Sequence, residues 1–169
     1  KFKNVKSNFD KQISDVLLLT PQIFYDERGF FMESWNQEIF NSVVGKNIFF
    51  KQDNHSKSKK GILRGLHFQS NPCPQGKLVR CISGEIYDIA VDIRKGSKTF
   101  LEWVSVILSS KNHNQLWTPE GFAHGFLTLS DYAEVVYKTT EFWSKEHEKT
   151  IIWNDPQLSI DWVDKISEP

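Results

Sequence analysis

Apolar side chains along this chain recur mostly at every second position or in short runs, not at helical spacing. β-branched and aromatic residues concentrate in segments 15–20, 29–35, 48–53, 77–83, 85–93, 102–108, 125–129 and 133–140, which predicts a strand for each. Turn sequences stand between them: Asp26-Glu27-Arg28-Gly29, Lys60-Gly61, Ser83-Gly84, Lys95-Gly96 and Pro119-Glu120-Gly121. Only 36–44 reads as a helix, with Asn36 as cap and Ile39, Phe40 and Val43 at helical spacing. Many short strands with regular turns predict an all-β sandwich or barrel with few short helices. No repeat, low-complexity stretch or linker interrupts the sequence, so residues 1–169 read as a single domain.

Alternation assigns side chains to faces. In 85–93, Tyr87, Ile89, Val91 and Ile93 form one apolar set, and Ile86, Asp88, Ala90 and Asp92 form the opposite set with two acids. Tyr137 shares a face with Ala133 and Val135, and Lys77 shares one with Val79 and Cys81. A lysine and a tyrosine among small apolar residues fit a pocket inside a barrel. They fit equally an edge strand whose lysine reaches out to water. Alternation alone leaves both readings open.

The chain has 169 residues and a mass of 19.7 kDa. A chain of this size buries about 70% of its unfolded surface, enough for one core without metal or disulfide staples. Lys plus Arg and Asp plus Glu both number 21, for a net charge of zero. That balance argues against a nucleic-acid binder while permitting a local basic pocket for a small anion. No apolar run approaches the ~20 residues that span a bilayer. Residues 1–10 contain no signal-peptide core, so the expected location is cytoplasmic and Cys73 and Cys81 are expected as reduced thiols. The first residue is not Met, and the chain reads as trimmed at both ends. Aromatic content is 14%, with 13 Phe and 6 Trp, rings that fill β cores and also make stacking floors for bases and sugars.

Candidate chemistry begins at Gly61-Ile62-Leu63-Arg64-Gly65-Leu66-His67-Phe68-Gln69. Arg64 and His67 have opposite parity, and a bulge at Gly65 would turn both to one side. A second histidine lies in Gly121-Phe122-Ala123-His124-Gly125. The spacing from Gly61 to His67, and Pro119-x-Gly121-x-x-His124, resemble the two motifs of the cupins, double-stranded β-helix barrels that often hold a metal. Here Gln69 stands where a second ligand His would be, and Thr128 where the second motif often ends in Asn. Two imidazoles without a third ligand are a poor divalent-metal site, so no metal is expected.

Longer blocks are more specific. Asp26-Glu27-Arg28-Gly29-Phe30-Phe31-x-Glu33, Gln52-Asp53-Asn54-His55-Ser56, Leu63 to Gln69, Gln75-Gly76-Lys77-Leu78-Val79-Arg80-Cys81, Val91-Asp92-Ile93-Arg94, Gln115-Leu116-Trp117-x-Pro119-x-Gly121-Phe122-Ala123-His124-Gly125-Phe126, Tyr137-Lys138 and Trp153-Asn154-Asp155-Pro156 occur in that order. Together they resemble the dTDP-4-dehydrorhamnose 3,5-epimerase family over about residues 15–162. The resemblance implies a cupin-like jelly roll and a nucleotide-linked 4-keto-6-deoxy sugar as substrate. It implies epimerisation at carbons 3 and 5 without metal or redox cofactor, in a cytoplasmic homodimer that exchanges N-terminal strands. It matches His67 to the proton-abstracting base, Lys77 to the group supporting the enolate, with Arg64 close by, and Tyr137 to the general acid on the opposite face. Arg28, Glu33, Gln52, Asp53, Asn54, Arg64, His124 and Glu148 match substrate-binding positions; without the resemblance, Gln52-Asp53-Asn54 reads as a turn and Glu148 as a solvated charge.

The chain departs from the family pattern in two places. Trp143 stands where the family has a Tyr that stacks on the thymine ring, and an indole can stack equally well. A Leu-Ser-x-Lys-Asp segment, whose Asp orients the catalytic His and whose Lys helps bind substrate, belongs after Pro169 in the family. Three other functions share these motifs: a 3-epimerase of another 4-keto-6-deoxy sugar nucleotide, a non-catalytic sugar-nucleotide binding module, and a metal-dependent cupin enzyme. Binding alone requires neither His67 nor Tyr137, which weighs against the module.

Overall fold

The computed structural model describes residues 1–162; the end of the expected single domain, including Ile166-Ser167-Glu168-Pro169, lies outside the described residues. In chain order the elements are β1 (Phe2–Lys6), β2 (Gln12–Leu19), β3 (Ile23–Asp26), β4 (Gly29–Met32), α1 (Gln37–Val44), β5 (Gln52–Lys59), β6 (Leu63–Gln69), β7 (Lys77–Ser83), β8 (Glu85–Asp92), β9 (Trp103–Ser109), β10 (Gln115–Thr118), β11 (Phe122–Thr128), β12 (Tyr132–Thr139) and β13 (Glu148–Thr150). They form a six-stranded sheet, β1-β2-β10-β7-β12-β5, a five-stranded sheet, β13-β6-β11-β8-β9, and a separate β3–β4 hairpin. Every pairing is antiparallel. This is the expected all-β jelly roll.

The two large sheets enclose the main core, built from the inner-face residues Ile13, Val16, Val79, Cys81, Ile86, Ala90, Val104, Phe126 and Val135 with Tyr137 packed against it. That settles the alternation question. The face that carries Lys77 and Tyr137 looks into the jelly roll. Tyr87, Ile89 and Val91, on the outer face of β8, are covered by Leu158 and Trp162 from the C-terminal loop. Strand β8 is therefore buried on both faces from Ile86 to Asp92, which is why its sequence is a nearly unbroken apolar run. Helix α1 covers the outer face of the six-stranded sheet, where Phe40 packs on Leu17, Leu78 and Trp117. Its ends are as the sequence predicts: Asn36 Oδ1 accepts from the Ile39 N–H at 3.1 Å, and Gly45 caps the C-terminus at φ +75°.

Two expectations change. Segment 48–53 is not a strand: Ile48 and Phe50 pack into the α1–Trp117 cluster, and β5 begins only at Gln52. Gln52-Asp53-Asn54 opens that strand and makes no turn. β5 is polar because it is an edge strand with one face toward a cavity and the other toward solvent; pairing with β12 sets its register. Segment 29–35 is shorter than expected, ending at Met32 in a hairpin whose turn is the predicted Asp26-Glu27-Arg28-Gly29.

Candidate active site

A cavity of about 420 Å³ opens between the two sheets. His67 and Arg64 come from β6 and His124 from β11 of the five-stranded sheet, while Lys77, Tyr137, Gln52 and Asn54 come from β7, β12 and β5 of the facing sheet. Trp143 and Glu148 also line it. Nine of the sequence-predicted residues thus meet in one place.

Glycines make the β6 wall possible. His67 pairs with His124 and Arg64 with Phe126, so two residues, Gly65 and Leu66, stand opposite the single Gly125. This is the bulge expected from the parity of Arg64 and His67, and it brings both side chains to the cavity. Gly65 sits at φ +140°, and a Cβ there would lie 2.5 Å from Gly125 Cα. Neither glycine has room for a side chain.

Electrostatics sort the titratable groups into roles. Burial, then the nearby Lys77 ammonium, push the His67 pKa below the usual imidazole value, so it is a neutral base near pH 7. Burial pushes Lys77 down to about 8, against the opposing pull of Glu148 and Asp88. It therefore remains mostly charged at neutral pH although it is buried. Its Nζ donates to the His67 carbonyl at 3.3 Å. Burial raises the Tyr137 phenol, which stays protonated and able to donate. Arg64 is fixed by donating from Nε to Ser58 Oγ at 2.8 Å.

Other residues enter the site without having been predicted. Asp88 is fully buried and holds His124 Nε2 through Oδ1 at 2.8 Å, while its Oδ2 has no partner among the described residues. The available signal was an acid on the Ile86–Ala90 face, which is the core side. Gln75 lines the cavity and donates to the Glu141 carbonyl at 2.7 Å. Gln69 accepts from the Ser144 N–H at 2.7 Å and donates to the Cys73 and Phe142 carbonyls. With Gln52 Oε1 accepting from the Trp143 N–H at 3.0 Å, three glutamine amides clamp the loop that carries Trp143. Gln69, at the position of a cupin's second metal ligand, spends its amide on that loop. No group of three His, Cys, Asp or Glu among the described residues is arranged to hold a metal, and the residues at the cupin position do not fit one.

Three predicted binding residues lie apart from this cavity. Arg28 sits at the tip of the β3–β4 hairpin, 84% exposed, with Asp26 as its ion-pair partner at 2.5 Å. Glu33 lines a second cavity, of about 490 Å³, beside α1. Asp53 points to the outer face of β5 and pairs with Lys138 Nζ at 2.9 Å. Strand alternation separates Asp53 from Gln52 and Asn54, which both line the cavity between the sheets.

The dTDP-4-dehydrorhamnose 3,5-epimerase family model matches residues 10–169. The chain is 60% identical over 151 residues to the dTDP-4-dehydrorhamnose 3,5-epimerase of Shigella flexneri, covering 89% of this chain and 83% of that protein. Among solved structures, a dTDP-6-deoxy-D-glucose-3,5-epimerase of Legionella pneumophila in complex with dTDP-4-keto-L-rhamnose is 47% identical with a TM-score of 0.88, covering 96% of this chain and 84% of that one. The dTDP-4-dehydrorhamnose 3,5-epimerase of Bacillus anthracis, with TDP and PPi bound, is 43% identical with a TM-score of 0.87, covering 100% and 99%. Likeness over nearly the whole chain, in sequence and in the jelly roll that gathers His67, Lys77 and Tyr137, has one reading: this chain belongs to the dTDP-4-dehydrorhamnose 3,5-epimerase family.

Proposed function

We propose that the chain inverts carbons 3 and 5 of dTDP-4-dehydro-6-deoxy-D-glucose, giving dTDP-4-dehydro-L-rhamnose. One observation carries the mechanism: His67 stands on one sheet, and Lys77 and Tyr137 stand on the other, across a single cavity. The C4 ketone acidifies the hydrogens on its two neighbouring carbons. Neutral His67 takes one of them, and the electron pair passes to the ketone oxygen as an enolate. Lys77, buried and with Arg64 nearby, supports that negative charge. Tyr137 returns a proton from the opposite face, and the carbon is inverted. Once His67 has released its proton to solvent and Tyr137 has regained one, the same sequence at the second carbon completes the reaction. The direct test is NMR of this reaction in deuterated water. Inversion with deuterium at both carbons is expected, and inversion at carbon 3 alone would overturn the 3,5 assignment.

The nucleotide is assigned to the end of the cavity lined by Trp143. Trp143 is 55% exposed on a clamped loop and offers its indole as a surface for stacking. Trp143→Ala is expected to weaken dTDP binding by about 1–3 kcal/mol, the size of a base–aromatic stack. Unchanged affinity by calorimetry would make the indole ordinary packing.

Arg28 and Glu33 are assigned to a site completed by a second copy of the chain. The hairpin that carries Arg28 exposes Phe24, Tyr25, Phe30 and Phe31, each more than half exposed. Such an apolar patch is the mark of an interface. Sedimentation equilibrium is expected to give twice the 19.7 kDa of one chain. Phe31→Asp should lower both the mass and the turnover, and a fully active monomer would overturn the assignment. A cytoplasmic location goes with this reading, since Cys73 and Cys81 are free thiols. No helix among the described residues is long and apolar enough to cross a membrane.

A further inference from the structure

Trp143 carries the proposed stacking surface, yet it is more than half exposed, so burial cannot be what aims it. Its indole N–H donates to Glu148 Oε2 at 3.1 Å, and its backbone is held more firmly still. The peptide group between Phe142 and Trp143 is bound at both ends. The Phe142 carbonyl accepts from Gln69 Nε2 at 3.2 Å, and the Trp143 N–H donates to Gln52 Oε1 at 3.0 Å. The next peptide group is bound too, with the Ser144 N–H donating to Gln69 Oε1 at 2.7 Å. Gln69 stands on β6 and Gln52 on β5, strands of different sheets. The Trp143 Cα therefore lies between two peptide planes, and Gln69 grips both of them.

We propose that Gln69 is a positioning residue for nucleotide binding, its buried amide fixing the peptide groups on both sides of Trp143 so that the indole meets the base in one orientation. This role rests on the placement of the nucleotide base at Trp143 proposed above. Gln69 is 6% exposed, and Nε2 spends its second proton on the Cys73 carbonyl at 2.7 Å. The amide thus ties the segment around Cys73 to the loop that carries the indole. The position requires one acceptor and two donors at the end of a side chain with two methylenes, which is the inventory of glutamine. A glutamate of the same length would offer no donor and would turn a charge toward two carbonyls. An asparagine would stop one methylene short. An apolar side chain would leave the Ser144 N–H and the Phe142 and Cys73 carbonyls to find other partners. Buried backbone groups do not stay unpaired in folded proteins without cost, so the loop would move to satisfy them. The indole would then sample several orientations, and the base would have to select one of them on binding.

A double-mutant cycle, read by dTDP calorimetry and by amide hydrogen exchange, tests this role. Gln69→Leu is expected to weaken dTDP binding by about tenfold, within the range of a lost base–aromatic stack. In the Trp143→Ala background the same substitution should change affinity by less than about twofold, because the surface it positions is gone. Exchange at the Trp143 and Ser144 amides should quicken in Gln69→Leu while the amides of β8 and β11 stay protected, which separates a freed loop from a weakened fold. In turnover, most of the loss should fall on KM and not on kcat, as for binding shared by ground and transition states. If Gln69→Leu does not fold, Gln69→Glu supplies the same comparison at unchanged side-chain length. Equal affinity losses in the two backgrounds would overturn the proposal, as would a loss confined to kcat. A loss in Trp143→Ala with none in Gln69→Leu would overturn the positioning role alone. Unchanged affinity in Trp143→Ala would remove the stacking assignment and this proposal with it.

Discussion

In deuterated water, His67→Ala is expected to lose both hydrogen exchange and epimerisation, whereas Tyr137→Phe is expected to lose inversion and keep exchange. The difference follows from the placement of the two groups on facing sheets of one cavity. Without the His67 imidazole the abstracting base is gone, and the other imidazole on that sheet, His124, is tied through Nε2 to Asp88, so neither acidic carbon is expected to give up its hydrogen. Without the phenol the enolate still forms, and the only return path is from the base itself. A deuteron delivered there restores the original configuration, so the unconverted sugar accumulates deuterium. A positioned acid or base contributes about 10²–10⁴-fold, which makes both defects measurable by NMR. Tyr137 is well placed for the donor role, because burial raises its pKa and keeps it protonated. Equal loss of exchange and inversion in Tyr137→Phe would move the tyrosine from proton return to support of the enolate.

Lys77 governs the second large effect. Removing its ammonium in Lys77→Met is expected to lower kcat by about 10²–10³-fold, the loss seen when a donor to a developing oxyanion is deleted. The charge also gives the enzyme a pH signature. Burial holds Lys77 at about 8, so the ammonium is present below that pH and lost above it. Wild-type kcat/KM should therefore fall as pH rises through about 8. On the acid side the rate should fall only below the usual imidazole range, because burial and Lys77 depress the His67 pKa and protonation removes the base. Lys77→Arg keeps a charge at all these pH values. Its activity will be lower, since the guanidinium does not match the ammonium in shape, but its profile should stay flat through pH 8. Tyr137 titrates higher than its ordinary value, so it does not account for a limb near 8. Persistence of that limb in Lys77→Arg would show that another group sets it.

The local rules of strand and turn chemistry reached well into this fold. β7 was read with its observed bounds and β8 to within a residue, because both are core strands whose apolar residues announce them. Asn36 and Gly45 mark the ends of α1 for reasons contained in a few neighbouring residues. β5 and β13 were missed as strands, since their polar sequences gain their structure from the β12 and β6 edges they join. No window of local sequence contains that partner.

The sequence by itself determined the β class; it offered the interior face of Lys77 and Tyr137 as one of two readings, and Gly65 as a place for a bulge. Each depends on side-chain alternation or on the absence of a Cβ, which are properties of adjacent residues. Resemblance to the family named the base, the enolate support and the acid, without placing them in space. Tertiary structure decided that β6 faces β7 and β12, so that His67 and Tyr137, 70 residues apart in sequence, line one cavity from facing sheets. It also decided that Gln52 and Asn54 enter that cavity while Asp53 leaves it, and that Asp88 lies under His124. Those outcomes depend on which strands become neighbours and in what register, and burial of both sheet faces at once selects that arrangement.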